Sequence, residues 1–161
     1  MQVVYYTAGV AVVYTPPTDP ADTSDSAGHT QHFFLGHDDD IKALAICAAP
    51  VTVDGVQYPG HSVFASGQVT SSSHGPCVCI WDSRVGSQAG EPELQRLQLP
   101  KTARGVCALG FSPDGKLLTA VLMDNPHTVY VYDWQTASVV GQGRGYAGEP
   151  PQVRLSVSLT D

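Results

Sequence analysis

The residue types most able to do chemistry in this chain fall together in one short run. Within Phe33–Cys47, FFLGHDDDIKALAIC, the imidazole of His37 is followed by three carboxylates, Asp38, Asp39 and Asp40. Such a run could hold a divalent cation or supply a general base, as in a metal-dependent enzyme. Hard cations, however, want several convergent oxygens. Consecutive residues of an extended chain point alternately away from one another. A site on His37 and Asp38–Asp40 would need a second His- or Asp-dense motif, and the sequence has none. Other reactive groups also lack partners. Ser71–Ser73 beside His74 have neither an orienting acid nor a strand–turn–helix elbow. Gly141, Gly143, Gly145 and Gly148 of GQGRGYAG have no Lys-Ser/Thr and no following helix to cradle a phosphate. Cys47, Cys77, Cys79 and Cys107 include no C-x-x-C pair, so no zinc site is expected. No cofactor is expected, and no catalytic residue is assigned.

The elements that position these residues read as short β-strands. Over 161 residues, 42% are hydrophobic, 14% are charged, and Gly (16) and Pro (12) are frequent. That mix suits one ordinary domain of strands and turns. Stretches with apolar residues at helical spacing are missing, and no run reaches the roughly 18 apolar residues of a membrane helix. The N-terminus lacks a basic n-region, so no secretory signal is read and the thiols are expected to be reduced, in the cytosol. Twelve strands are predicted: 2–8, 10–15, 31–35, 41–47, 62–69, 77–82, 94–99, 105–111, 116–123, 128–134, 138–142 and 153–159. Ser112-Pro113-Asp114-Gly115 and Asn125-Pro126 mark turns. Asp54-Gly55, between Val53 and Val56, marks a tight hairpin. Residues 15–31 are polar, acidic and Pro-rich, and read as a disordered loop.

Charge is uneven. Residues 1–41 hold six Asp and no Lys or Arg, whereas 42–161 hold eight basic and nine acidic groups, so −6 and −1 give the net −7. An acidic chain without a basic cluster argues against nucleic acid as a partner.

An internal repeat organises the strands. Ile41–Ala48 aligns with Val106–Pro113, and CVCIWDS (77–83) with TVYVYDW (128–134), on Trp81-Asp82 and Tyr132-Asp133. Both units run strand, turn, strand, strand ending in aromatic-Asp, strand, which is the layout of a β-propeller blade. Cys77 and Cys79 alternate with Trp81 on one strand face. They are expected to pack as buried thiols against a neighbouring blade, a vicinal redox pair being the competing reading.

Gly36-His37 before an inner strand and Trp81-Asp82 closing a later one resemble the GH…WD frame of WD repeats. More narrowly, VVYYTAGVAVVYT (3–15), HFFLGHDDDIKALAI (32–46), ASGQV (65–69), IWDS (80–83) and YVYDWQ (130–135) resemble, in order, the propeller segment of the echinoderm microtubule-associated protein-like family. The insertions at 15–31 and 48–61 depart from that family's pattern, and its N-terminal hydrophobic motif and basic coiled-coil region are not found here.

The resemblance implies an all-β, incomplete WD-repeat β-propeller of about three blades' worth of strands at about 40–45 residues per blade. Residues 1–35 would give strands b–d of a first blade, 36–99 a full blade, 105–145 a second full blade and 153–159 the first strand of a next. Because Met1 opens on a strand and Asp161 closes on one, the chain is expected to be completed by the remaining blades of a larger propeller. The WD frame places Gly36 at a turn and sends His37 into its own blade, to bond a hydroxyl such as Ser66 beside Trp81. With Asp82, Tyr132 and Asp133 these residues make the expected structural network of the two blades. The second full blade has PKTARG (100–105) for Gly-His, Ala120 for Ser66 and Tyr132 for Trp81. It is expected to be held by Leu109, Phe111, Leu118, Val129 and Val131. Asp38, Asp39 and Asp40, with Arg104, are expected in a solvated loop facing a partner. The implied function is non-catalytic protein–protein binding to tubulin, microtubules, or other cytoskeletal or axonemal proteins, in the cytoplasm or a cilium. A general WD adaptor of a signalling or ubiquitin-ligase complex is the alternative.

Overall fold

The computed structural model describes residues 2–17, 28–71, 75–84 and 92–145. Among these residues there are thirteen strands and no helix. The expected strand at 153–159, residues 18–27 of the low-complexity run, and Ser72–His74 lie outside them.

The first sheet is an antiparallel meander of β1 (Val3–Thr7), β2 (Val10–Thr15) and β3 (Thr30–Phe34). Strand pairing thus continues to Thr15 and resumes at Thr30, inside the stretch expected to be loop. The second sheet begins with β4 (Ile41–Ile46). A separate hairpin of β5 (Val51–Val53) and β6 (Val56–Tyr58) follows. Its tip is Asp54 at φ 49° and Gly55 at φ 80°, the paired left-handed backbone of a two-residue hairpin turn. Strands β7 (Val63–Gln68), β8 (Cys77–Asp82) and β9 (Glu93–Gln98) complete the second sheet in the order β4-β7-β8-β9. The third, β10 (Val106–Phe111), β11 (Leu117–Leu122), β12 (Thr128–Asp133) and β13 (Ser138–Arg144), repeats that order.

Strand β4 touches β1, and β10 packs on both β4 and β7. Four-stranded antiparallel sheets succeeding one another through their first strands make a partial β-propeller of WD-repeat type. The second sheet is covered on both faces. One side, with Ala11, Val13 and Phe34 of the first sheet, buries Phe64, Cys77, Cys79 and Trp81. The other buries Val63, Ala65, Val78 and Ile80 against Val106, Leu118 and Trp134 of the third. Every residue of β7 and β8 is therefore buried, which is why CVCIW (77–81) reads as an unbroken apolar run. The close approach of the two sheets rests on missing side chains. A Cβ on Gly67 would stand 2.7 Å from Val106 Cβ, and one on Gly105 2.8 Å from Val69 Cα.

The repeat extends to irregularities. Pairing of β4 with β7 slips between Ile41 and Ala43, and pairing of β10 with β11 slips between Val106 and Ala108. The last strand of each sheet slips too, opposite Ile80/Trp81 and opposite Val131/Tyr132. One residue is bulged out at each place, which bends the strand and increases its twist.

The third sheet's core differs from the expectation in part. Leu109, Phe111 and Leu118 are in it, whereas Val129 and Val131 are only half-buried. The residues of β12 that enter the core are Tyr132 and, just past the strand, the fully buried Trp134. Alternation explains this: Tyr132 and Trp134 share a face, and Val129 and Val131 share the opposite one.

Candidate functional site

Strand β4 is entered through Gly36-His37, and the glycine is required by crowding rather than by φ. A Cβ there would collide with the Phe34 ring and lie 2.9 Å from Glu93 Oε2. His37 then turns its ring onto β7. Its Nε2 lies 2.7 Å from Ser66 Oγ and its Nδ1 2.7 Å from Gln68 Oε1. The amide oxygen can only accept, so Nδ1 carries the hydrogen and Nε2 accepts from the Ser66 hydroxyl. Trp81 Nε1 donates to Ser66 Oγ at 3.0 Å. Gln68 Nε2 donates to Asp38 Oδ1 at 2.6 Å, and Ser71 Oγ donates to Asp38 Oδ2 at 2.9 Å. The donors thus point one way, from indole to hydroxyl to imidazole to amide to carboxylate. Such a chain polarises each of its links in the same sense.

Trp81 is clamped between Phe34 and Phe64, with ring centroids 4.9 and 5.2 Å away. Phe34 comes from the first sheet, so this stack joins the two sheets beside the polar chain. Gln68 was not foreseen, although it is 0% exposed. The available signal was its spacing: two residues beyond Ser66 on an extended strand, it must share that face.

The three carboxylates do not converge. Asp38, although exposed, is held by Gln68 and Ser71 rather than being simply a solvated loop carboxylate. Asp39 Oδ1 accepts the Asp40 N–H at 2.7 Å. Asp40 pairs with Lys42 at 3.1 Å, both about half-exposed. The Asp39 carbonyl sits against Gly9 of the first hairpin, where a Cβ would approach it to 2.9 Å. Arg104 is exposed, and its carbonyl accepts Thr70 N–H at 2.8 Å. The Thr70–Ser71 corner therefore ties the Asp38 loop and the Arg104 loop to the same end of the structure.

Asp82 is buried and grips Arg84, whose Nε reaches Oδ1 at 2.9 Å and Nη2 reaches Oδ2 at 3.0 Å. The guanidinium also lies over the Tyr58 ring at 5.0 Å. Asp133, its counterpart in the repeat, instead accepts the Thr136 N–H at 3.2 Å. Tyr132 stacks on Tyr130 at 5.9 Å, and Ala120 offers it no hydroxyl. Asp124 closes its own turn by accepting Thr128 N–H at 2.7 Å and Thr128 Oγ1–H at 2.6 Å. The polar anchor of the third sheet is Trp134, whose Nε1 donates to Gly115 O at 2.8 Å.

One constellation was not visible in the spacing of the cysteines. Cys77 and Cys79 point from β8 toward the first sheet, beside His37. Donor atoms of His37, Cys77 and Cys79 all lie within 4.8 Å of one another. Among the described residues it is the one set of His, Cys, Asp or Glu groups gathered closely enough for a metal ion, and Asp38–Asp40 are not in it. Arg96 borders the set, with Nη1 3.6 Å from Cys77 Sγ and Nη2 bonded to Gly36 O at 2.7 Å and Glu93 Oε2 at 2.6 Å. The Cys77 thiol is acidified, first by a hydrogen bond from Cys79 and then by His37 and Arg96. The Cys79 thiol is pushed up by that same bond and by burial. Cys47 and Cys107 are raised, chiefly by burial.

No family model matches the chain. Curated relatives do. Over 140 residues it is 36% identical to echinoderm microtubule-associated protein-like 2 of Homo sapiens, covering 83% of this chain and 18% of that protein. The rat protein of the same name is 34% identical over 146 residues, covering 86% of this chain and 18% of its own length. The 77 kDa echinoderm microtubule-associated protein of Strongylocentrotus purpuratus is 30% identical over 136 residues, covering 83% and 16%. The chain thus spans less than a fifth of the length of these relatives.

Proposed function

Because the chain belongs to the echinoderm microtubule-associated protein-like family, we propose that it is a non-catalytic scaffold segment of a microtubule-associated WD-repeat propeller. The observation that carries this reading is the similarity to microtubule-associated relatives over more than four-fifths of the chain. The separate partners of Asp38, Asp39 and Asp40 support a structural role for the most enzyme-like stretch, since no convergent carboxylate set forms there. Function then lies in shape and charge complementarity at loops carried by a rigid frame. Asp39, Asp40 and Arg104 form the partner-facing loops in this reading, and cytoplasmic microtubules or an axoneme are the setting. The acidic surface needs basic or polar counterparts, so contact with tubulin, itself acidic, rests on the scattered Arg84, Arg96, Arg104 and Arg144 or on flanking regions.

The test is co-sedimentation with stabilised microtubules at low and moderate salt, using the chain together with its flanking coding sequence. Pelleting that weakens as salt rises is expected, because exposed charges are screened. Protein that stays in the supernatant at low salt overturns the microtubule reading. Asp39→Asn with Asp40→Asn then locates the contact: unchanged pelleting removes this loop from it.

A further inference from the structure

We propose that Cys77, Cys79 and His37 form a binding site for one soft closed-shell cation, Cu(I), buried between the first and second sheets. Both cysteines are on β8 two residues apart, so their side chains leave the same face, and they are 2% and 0% exposed. His37 is brought to them by the turn into β4, which the glycine at position 36 allows.

The three donors stand close enough together for one ion to bridge them. A metal about 2.3 Å from each of three donors in a plane separates them by about 4 Å. Cys79 Sγ and His37 Nδ1 are 3.9 Å apart, and all three donor atoms fall within 4.8 Å. Thiolates and imidazole select soft or borderline ions, and no carboxylate belongs to the set to favour a hard one. Three donors suit Cu(I), whereas a structural zinc site closes with four.

The surroundings accept the charge. Two thiolates and a univalent ion sum to −1; the Arg96 guanidinium beside Cys77 Sγ is the positive group at the site, and it is shared with Glu93. Binding is not a redox step. Cu(I) enters, two S–H protons leave, and two Cu–S bonds and one Cu–N bond form. The Nδ1 proton of His37 moves to Nε2, where Ser66 Oγ accepts it, and the Ser66 hydroxyl hydrogen, which had pointed at Nε2, rotates away from the ring. Gln68 Oε1 gives up that hydrogen and keeps the Asp38 N–H at 3.4 Å. His37 therefore exchanges a hydrogen bond for a metal bond, so the thiolates carry most of the affinity.

The experiment is an anaerobic titration of the intact, reduced chain with Cu(I) buffered by bicinchoninate. One equivalent withdrawn from the chelator, with thiolate-to-copper absorption in the near ultraviolet, is expected. A Cys47→Ser/Cys107→Ser variant is expected to withdraw the same equivalent, and it preserves the proposed site. A Cys77→Ala/Cys79→Ala variant, shown folded by circular dichroism, is expected to lose at least about 100-fold in affinity, and His37→Gln about 10-fold. No withdrawal by the intact chain, or equal withdrawal by Cys77→Ala/Cys79→Ala, overturns the site. An unchanged affinity in His37→Gln removes the histidine from it and leaves a two-thiolate site, which contradicts the proposal as stated.

Discussion

Gln68 Oε1 stands 2.7 Å from His37 Nδ1, on the other side of the ring from Ser66. That contact fixes the tautomer and passes the load to Asp38 through the same amide. A buried glutamine thus links His37 to the Asp38 carboxylate.

Gln68→Leu is accordingly expected to destabilise the chain by about 1–3 kcal/mol, because a half-buried imidazole N–H loses its acceptor and the buried amide's bond to Asp38 is lost. The urea midpoint measures it. Ser66→Ala in the same background should cost less than it does alone, since the two act on one ring. A Gln68→Leu midpoint equal to that of the parent contradicts the chain of bonds.

Trp134→Phe removes the donor to Gly115 O and leaves a gap at a fully buried site. A loss of about 2–4 kcal/mol is expected, read in the same denaturation experiment. A change below half a kcal/mol would show that the third sheet does not depend on this indole.

Gly67→Ala drives a methyl into Val106 and should cost about 1–3 kcal/mol by overpacking. Val106→Ala added to it should restore part of the loss. Additive losses would mean that the strain arises inside the second sheet instead of between sheets.

Alkaline stability tests Tyr132, which burial raises from 10.0 to about 12. A group whose folded pKa is raised stabilises fully below its unfolded value and loses that contribution as pH climbs through the folded one. Stability should therefore fall between about pH 10 and pH 12, and less steeply in Tyr132→Phe. Parallel pH profiles for the two proteins would refute the assignment.

Strand order, the duplicated unit and the pairing of His37 with Ser66 were legible because they rest on local signals: turn dipeptides, alternation and a repeated aromatic-Asp. Gln68 is not legible as a partner because Ser66 alone satisfies the expected His37 bond, whereas the same strand supplies a second acceptor. Trp134 lies within YVYDWQ, but its role as an anchor is not legible there, since the face shared with Tyr132 continues past the strand end. The meeting of His37 with Cys77 and Cys79 depends on how β4 and β8 are set across β7. Spacing along one strand says nothing of that.

The slips opposite Trp81 and opposite Tyr132 fall at matching places, as do those after Ile41 and after Val106. The side chains around them differ between the sheets: Ser66 corresponds to Ala120, Gln68 to Leu122 and Trp81 to Tyr132. Both sheets therefore bend and twist at the same places whether a polar chain or apolar packing fills them. The curvature of the unit is carried by its backbone and is indifferent to the chemistry of its filling.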